Sequence, residues 1–153
     1  MKLSLLLEND PGHSFGPVYH GGSWDGIKPI KVNGRGALGV GAYFTPDRSK
    51  ALTYATEPGQ KVTTAFLRIN NPVVIHMNSP GQHPCVEALV FLGMDSAKAS
   101  KLVERVEEKY GYMGGEIKKL ALSKGYDGIF EYFSGKLTEI VVWTPQQVEV
   151  VSA

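Results

Sequence analysis

The chain has 153 residues, a length that is typical of one folded domain and sufficient to bury a hydrophobic core. The hydrophobic fraction of 42% and the charged fraction of 20% are those of a globular protein, and they exclude a disordered chain. The formal net charge of +1 gives no overall field that would attract the chain to nucleic acid or to a membrane surface. We therefore expect residues 1–153 to form a single domain.

The sequence favours an intracellular protein without a membrane segment. Cys85 is the only cysteine, so no internal disulfide can form, which fits a reducing compartment. The apolar residues 3–7 are fewer than the core of a signal peptide needs, and polar residues follow at positions 8–10. No apolar run approaches the ~20 residues of a membrane-spanning helix. We expect a cytoplasmic location, or the cytoplasm of a target cell if something else delivers the chain.

The first half of the chain is typical of short strands separated by glycine-rich turns. Alternation and β-branched residues predict strands that end at residues 18–20 and cover 42–45, 61–69 and 72–75. Pro46 and Asp47 predict the start of a helix that runs from residue 48 to about residue 56.

The second half first becomes helical and then returns to strands. Helices are predicted at residues 85–93, 96–110 and 114–123, followed by strands at 126–133, 139–143 and 148–151. Ser96 is expected to cap the second of these helices, and Gly125 is expected to end the third. This order of strands, helices and strands predicts an α+β fold with antiparallel sheets.

Residues 34–41, GRGALGVG, match the G-x-G-x-x-G pattern of dinucleotide-binding turns and of kinase loops. A dinucleotide-binding turn leads from a strand into a helix, whereas residues 43–45 continue here as a strand. A kinase would also need H-R-D and D-F-G motifs, and the chain has neither. The pattern therefore predicts only a flexible or tightly turned loop.

A metal site is not expected. His76, His83, Cys85 and Glu87 are metal-ligating residue types, and the segment around Cys85 is faintly similar to that of zinc deaminases. Those enzymes need a pair of cysteines to complete three zinc ligands, and this chain has no second cysteine. Loop histidines without a shared role explain the pattern better.

Three separated segments contain the remaining candidates for chemistry. They are Y-H-G at residues 19–21, residues 41–45 followed by 49–54, and residues 138–143. Each has a simple structural explanation when it is taken alone. A histidine at a strand end is usually structural, aromatic residues eleven positions apart usually belong to a core, and a glutamate that opens a strand is usually exposed.

Taken together and in this order, the segments resemble the H-Y-E branch of the ADP-ribosyltransferase superfamily, which includes poly(ADP-ribose) polymerases and diphtheria toxin. The matching motifs are Y-H-G at 19–21, G-x-Y-F-T at 41–45, A-x-x-Y-A at 51–55, G-Y-D-G-I at 125–129 and E-x-V-V-x-x-P-x-Q at 139–147. Small phage and toxin-type domains of this superfamily are similar throughout. The resemblance implies two packed antiparallel β-sheets that form an NAD cleft, with a helical insertion in the middle of the chain.

The resemblance also implies a role for each residue of the site. Glu139 would stabilise the oxocarbenium-like ribose that forms when the nicotinamide–ribose bond of NAD⁺ breaks, and with Tyr43 and His20 it would make the catalytic set. NAD⁺, as co-substrate, would be bound by His20, Gly21, Tyr43, Phe44, Thr45, Ala51 and Tyr54. Tyr43 and Tyr54 would flank the nicotinamide ring, Gly21 would face its carboxamide through the backbone, and His20 would hold the adenosine ribose.

Two departures from the family pattern limit what the resemblance implies. Ala51 stands where poly(ADP-ribose) polymerases have a serine that contacts the carboxamide. Leu137, two residues before Glu139, stands where arginine-specific relatives have a Glu or Gln, which disfavours arginine as acceptor. The chain is also too short for the acceptor-binding extensions that build poly(ADP-ribose).

The implied function is mono-ADP-ribosylation by a phage or bacterial effector. The acceptor would be a macromolecule, in the first place a protein of a host or target cell, with nucleic acid as an open alternative. Neither a membrane nor a metal ion is expected as a partner. Two alternatives remain open: an NAD⁺ glycohydrolase, and a catalytically idle module of the same fold that binds a nucleotide or another partner.

Overall fold

The computed structural model describes residues 15–152, so the apolar residues 3–7 lie outside the described part of the chain. The strands are β1 Phe15–Gly22, β2 Arg35–Gly36, β3 Gly39–Val40, β4 Ala42–Phe44, β5 Lys61–Leu67, β6 Pro72–Met77, β7 Gly128–Phe133, β8 Lys136–Val142 and β9 Val148–Ser152. The helices are α1 Arg48–Leu52, α2 Pro84–Phe91, α3 Ser96–Tyr110 and α4 Glu116–Ser123, with a 3₁₀ turn at Pro145–Gln147. No helix among residues 15–152 is both long and apolar enough to cross a membrane.

The strands form two main sheets and a small hairpin. The first sheet has the order β1-β5-β9 and is antiparallel, whereas the second has the order β4-β8-β7-β6. Strands β2 and β3 pair with each other as a hairpin. The predicted α+β class is confirmed, and the glycine-rich loop at residues 34–41 contains this hairpin and leads into β4 without a helix.

The prediction that the sheets are antiparallel throughout is wrong for one pair of strands. β6 and β7 are parallel, from the Pro72 and Gly128 pair to the Met77 and Phe133 pair. A parallel pair needs a long crossover connection, and α2, α3 and α4 supply it. The central helices are therefore the connection that makes the second sheet possible, not an insertion added to a finished fold.

The second sheet is the middle layer of the molecule, because its strands bury side chains on both faces. Phe130 and Ile140 pack toward the first sheet, whereas their neighbours Ile129 and Val141 pack toward the helices. This alternation follows from the period of two residues along a strand. The two sheets pack against each other, and the helices cover the outer face of the second one.

Several element boundaries differ from the predictions. Asp47 caps α1 as expected, but α1 ends at Leu52 because the Thr53 hydroxyl bonds the Lys50 carbonyl (2.6 Å) and later bonds are of i to i−3 type.

Asp95, not Ser96, caps α3 by accepting from Lys98 N. The third central helix begins at Glu116, not at residue 114, and strands β7 and β8 begin at Gly128 and Lys136. Lys124 is the C-cap of α4, and Gly125, at a φ of 87°, is the residue after it.

Candidate active site

A cavity of about 450 Å³ opens where the first and second sheets meet. Every residue predicted for the site lines it: His20, Gly21, Tyr43, Phe44, Thr45, Ala51, Tyr54 and Glu139. These residues come from β1, β4, the α1 region and β8, which are far apart in the sequence. The structure therefore brings the three predicted segments together around one space.

A short bridge between the two sheets explains why β1 and β4 meet at this cavity. Tyr19 N donates to Thr45 O (2.8 Å), and Thr45 N donates to Tyr19 O (2.9 Å). Each of these residues is the neighbour of a predicted site residue, His20 in one case and Phe44 in the other. The bridge thus fixes the end of β1 beside the end of β4.

The imidazole of His20 is held in one orientation. Its Nδ1 lies 2.9 Å from the backbone oxygen of Tyr43, and because a carbonyl oxygen only accepts, Nδ1 must carry the proton. Burial lowers the pKa of His20, although the bond to the Tyr43 carbonyl opposes this shift. The ring is therefore neutral near pH 7, with Nε2 as the acceptor nitrogen. Trp24 and Phe44 pack around it at ring distances of 5.7 and 5.6 Å.

The hydroxyl of Tyr43 is bonded to the β2–β3 hairpin. It donates to Gly39 O (2.6 Å) and accepts from Leu38 N (2.8 Å). Gly36 lies against the ring, since a Cβ at that position would be 2.5 Å from ring carbon Cζ. Burial raises the pKa of Tyr43. The other predicted aromatic, Tyr54, lies just beyond α1 with 55% of its surface exposed.

Gly21 has a packing role that the sequence did not reveal. A Cβ on Gly21 would lie 1.8 Å from the backbone oxygen of Ala51, so no side chain fits between β1 and α1. Ala51 itself is fully buried. The glycine expected to face a ligand through its backbone is thus also required for contact between two walls of the cavity.

Glu139 lies near the middle of β8, directly opposite Glu131 of β7. Burial and the neighbouring carboxyl group of Glu131 raise the pKa of Glu139 to about 7, and the nearby Lys50 partly opposes this. Glu131 is not among the residues predicted from the sequence. Its only signal is a charged residue within the predicted apolar strand 126–133, across a possible hairpin turn from Glu139.

Three cations line the cavity and were also missed: Lys31, Arg35 and Lys50. The guanidinium of Arg35 bonds the Tyr112 hydroxyl and lies 4.3 Å from the centre of that ring. Lys50 Nζ lies 3.5 Å from the backbone oxygen of Thr138. Cations next to one carboxylate make a site suited to a ligand that carries both phosphate and positive charge.

Two residues of the motifs near the end of the chain, Asp127 and Gln147, have structural roles. Asp127 accepts from the backbone N–H groups of Asn70 (2.8 Å) and Asn71 (2.9 Å). Gln147 Nε2 donates to Arg68 O (3.0 Å) and to Asp127 O (2.7 Å), and its Oε1 accepts from Trp143 N (3.1 Å). These two side chains connect the loops next to β5, β7 and β8 and do not line the cavity.

The histidines and the cysteine considered as metal ligands have other partners, although His83 Nδ1 accepts from Cys85 N (3.1 Å). His76 stacks on Tyr132 with ring centres 5.2 Å apart, and His83 Nε2 bonds Glu107 at 3.0 Å. The Cys85 thiol is buried and donates to Ala37 O (3.1 Å), and burial raises its pKa to about 12. Within residues 15–152 no group of three potential ligands could hold a metal ion.

Comparison with known proteins identifies the family. No curated protein matches the chain in sequence. A solved structure described as the crystal structure of an anti-CRISPR protein aligns with 93% of this chain and 100% of its own, with 18% sequence identity and a TM-score of 0.45. The sequence profile described as ADP-ribosyltransferase in polyvalent proteins matches residues 12–153, nearly the whole chain. The chain therefore belongs to this family of ADP-ribosyltransferase domains.

Proposed function

We propose that the chain is a mono-ADP-ribosyltransferase that cleaves NAD⁺ at the nicotinamide–ribose bond and transfers ADP-ribose to a macromolecule. Membership of an ADP-ribosyltransferase family supports a transferase role in general. The observation that supports catalysis by this chain is the position of Glu139 in the same cavity as His20 and Tyr43. An idle binding module would have no need for a half-buried carboxylate at this place.

The cavity suits a dinucleotide in size and in lining. Its volume of about 450 Å³ lies within the range of small-molecule sites, ~300–1,000 Å³. Tyr43 and Tyr54 offer aromatic rings, and base or ring stacking on an aromatic side chain contributes ~1–3 kcal/mol. Lys31 and Arg35 supply the charge that a diphosphate requires. His20, with Nε2 free of a proton, can accept a hydrogen bond from a ribose hydroxyl.

Glu139 is the residue that we assign to the chemical step. Cleavage of NAD⁺ releases neutral nicotinamide and leaves positive charge on the ribose, as in glycoside hydrolysis. An ionised Glu139 carboxylate at the cavity wall stabilises that charge in a site from which water is partly excluded. The acceptor then forms the new bond to the ribose and releases one proton.

The acceptor and the biological setting are proposed from the resemblance to small toxin-type domains. We propose a protein of a host or target cell as acceptor, modified in the cytoplasm by a phage or bacterial effector. Leu137, two residues before Glu139, is half-buried in β8 and brings no Glu or Gln side chain to that position. Arginine is therefore not the acceptor side chain that we propose.

The test compares wild type with Glu139→Ala on labelled NAD⁺ in a lysate of candidate target cells. We expect wild type to release nicotinamide and to label macromolecules, and the variant to be slower by about 10²–10³-fold. Glu104→Gln, at an exposed position on α3, is the matched control and should behave as wild type.

The fate of the label separates the alternatives. Label that protease removes supports protein as acceptor, and label that nuclease removes identifies nucleic acid instead. Free ADP-ribose as the only product would identify a glycohydrolase. Binding of NAD⁺ without its consumption would identify an idle module, and neither binding nor consumption would refute the proposal.

A further inference from the structure

Two carboxyl groups meet across the β7–β8 pair, and one of them, that of Glu139, lines the cavity. Glu131 and Glu139 are directly opposite in the antiparallel register, which places their side chains on the same face of the sheet. The two carboxyl groups are within hydrogen-bonding reach of each other. Both residues are partly buried.

Such a pair is not expected from structural requirements alone. Like charges directly opposite each other on neighbouring strands destabilise a sheet, and burial increases the repulsion. An amide or an apolar residue at position 131 would avoid this repulsion while keeping the strand. A buried carboxyl pair is tolerated when it holds one proton between two groups, as in other enzymes that need two carboxyl groups of different acidity.

The backbone next to the pair is irregular in a way that supports it. The register shifts between Glu131 and Tyr132, so that Thr138 is an extra residue in β8. The Thr138 hydroxyl donates to Glu131 O (3.1 Å), while its backbone oxygen accepts from Lys50 Nζ (3.5 Å). At this β-bulge, Thr138, which directly precedes Glu139, is hydrogen-bonded both to Glu131 and to the nearest cation, Lys50.

Among the residues that the structure describes, several charged or titratable side chains lie near the Glu131–Glu139 pair. Lys50 of α1 favours the ionised form of both carboxyl groups, and Tyr43 of β4 is close enough to sense the charge of Glu139. The other titratable side chains that line the cavity are His20 of β1, Tyr19 of β1, Tyr54, Lys31 and Arg35. Glu131 does not line the cavity itself but interacts directly with Glu139, and the buried Cys85 of α2 is close enough to sense the charge of Glu131.

We propose that Glu131 is a positioning residue for the reaction: it holds the Glu139 carboxyl group at the cavity wall and shares one proton with it. This inference rests on the proposed function of Glu139. In the empty site the pair carries one negative charge and one proton. Glu139 then becomes fully ionised only when the pair releases that proton, a release that a bound cationic ring favours.

The pair therefore sets the pH at which the site becomes active. The pKa of Glu139, about 7, should appear as the acidic limb of the pH profile of kcat/KM, which reports groups of the free enzyme. Removing the second carboxyl group should lower this pKa, because the like charge is gone and an amide can donate to the Glu139 carboxylate.

The experiment measures the carboxyl titration of Glu139 by ¹³C NMR in the NAD⁺-free protein, using Glu139→Gln to assign the signal. In Glu131→Gln we expect the pKa of Glu139 to fall by about one unit or more. Glu131→Asp keeps a carboxyl group on β7, so the pKa of Glu139 should fall less in this variant. It replaces Glu131→Gln if that variant does not fold. Glu104→Gln should leave it unchanged.

The enzymatic readout is the pH profile of nicotinamide release. The acidic limb should move to lower pH in Glu131→Gln by the same amount as the NMR titration, with the rate at high pH reduced much less than in Glu139→Ala. The proposal would be overturned if the pKa of Glu139 in Glu131→Gln equals that in wild type. It would also be overturned if Glu131→Gln releases nicotinamide more slowly while the acidic limb of its pH profile stays in place. Because NMR needs no turnover, an inactive wild type would refute the proposed function and still decide this inference.

Discussion

Glu139 places an acidic group where the folded chain disfavours its charge. Its pKa is raised to about 7, whereas an unfolded chain gives glutamate its ordinary value of 4.5. Between these two pH values the folded state binds a proton that the unfolded state does not. The free energy of unfolding therefore includes a favourable contribution below about pH 4.5, which is lost as the pH rises toward 7.

Glu139→Gln should stabilise the protein at high pH, since an amide resembles the protonated acid and bears no charge. At pH 8 we expect a gain of about 1–3 kcal/mol in unfolding free energy, which raises Tm by several degrees in a chain of this size. At pH 4.5 the gain should largely disappear. Thermal unfolding of both proteins at the two pH values tests this, and an equal Tm difference at both would contradict it.

The sequence predicted individual site residues when each lay inside a recognisable motif. His20, Tyr43 and Glu139 belong to motifs whose order along the chain is informative, and they line one cavity. Glu131 could not be found in the same way, because its partnership with Glu139 depends on the register of a hairpin. That register includes a bulge at Thr138, and no sequence rule predicts the position of that bulge.

The β2–β3 hairpin shows how a glycine-rich segment becomes a rigid element. The hairpin accepts one bond from the Tyr43 hydroxyl at Gly39 O and donates one to it from Leu38 N, and it also contacts the segment before α4. There Val40 N donates to Gly114 O (3.0 Å), and a Cβ on Gly39, φ 87°, would lie 2.6 Å from the same oxygen. The helical region thus supports one wall of the cavity.

Tyr43→Phe should loosen this wall while keeping the aromatic ring. The change leaves Leu38 N and Gly39 O without their partner, at a cost of about 1–2 kcal/mol. We expect NAD⁺ affinity to fall by about 5- to 30-fold and the amides of residues 34–41 to exchange faster. Calorimetry and hydrogen exchange measure the two effects. Tyr110→Phe, at an exposed position, is the control, and unchanged exchange at 34–41 would refute this role.

At this scale the sequence predicted the helices and the longer strands, but neither the short β2–β3 hairpin nor how the strands pair. The helical pattern of residues 96–110 was correct because the apolar period of a helix is local information. The parallel pairing of β6 with β7 was not predicted, since it joins segments separated by three helices. The strand pattern of residues 72–75 is compatible with parallel and with antiparallel pairing.

Across the whole molecule, the Gln147 side chain connects three segments that lie far apart in the sequence. Its side chain bonds the backbone of Arg68 after β5, of Asp127 before β7 and of Trp143 after β8. Arg68 N in turn donates to the backbone oxygen of Gln147 (2.8 Å). These bonds connect the start of β9, which belongs to the first sheet, to the residues just before β7 and just after β8 of the second sheet, and Gln147 does not line the cavity.

Gln147→Ala should reduce stability and leave the chemistry nearly intact. The loss of these bonds leaves several backbone groups unpaired, and we expect a decrease of about 2–4 kcal/mol in unfolding free energy. At roughly 2–4 °C per kcal/mol, Tm should fall by about 5–15 °C. Below that Tm, kcat/KM should stay within a few-fold of wild type. Gln146→Ala is the control, and a lost kcat with an unchanged Tm would contradict this prediction.

The parallel pairing of β6 with β7 also affects when the chain can fold during its synthesis. On the ribosome, β6 is complete at Met77, but its partner ends at Phe133. At ~5–20 residues per second, the partner follows about three to eleven seconds later. Until then the middle sheet cannot close, and the nascent chain holds His20 and Tyr43 without either carboxylate. The candidate site is therefore complete only after β7 and β8 have been synthesised and have folded.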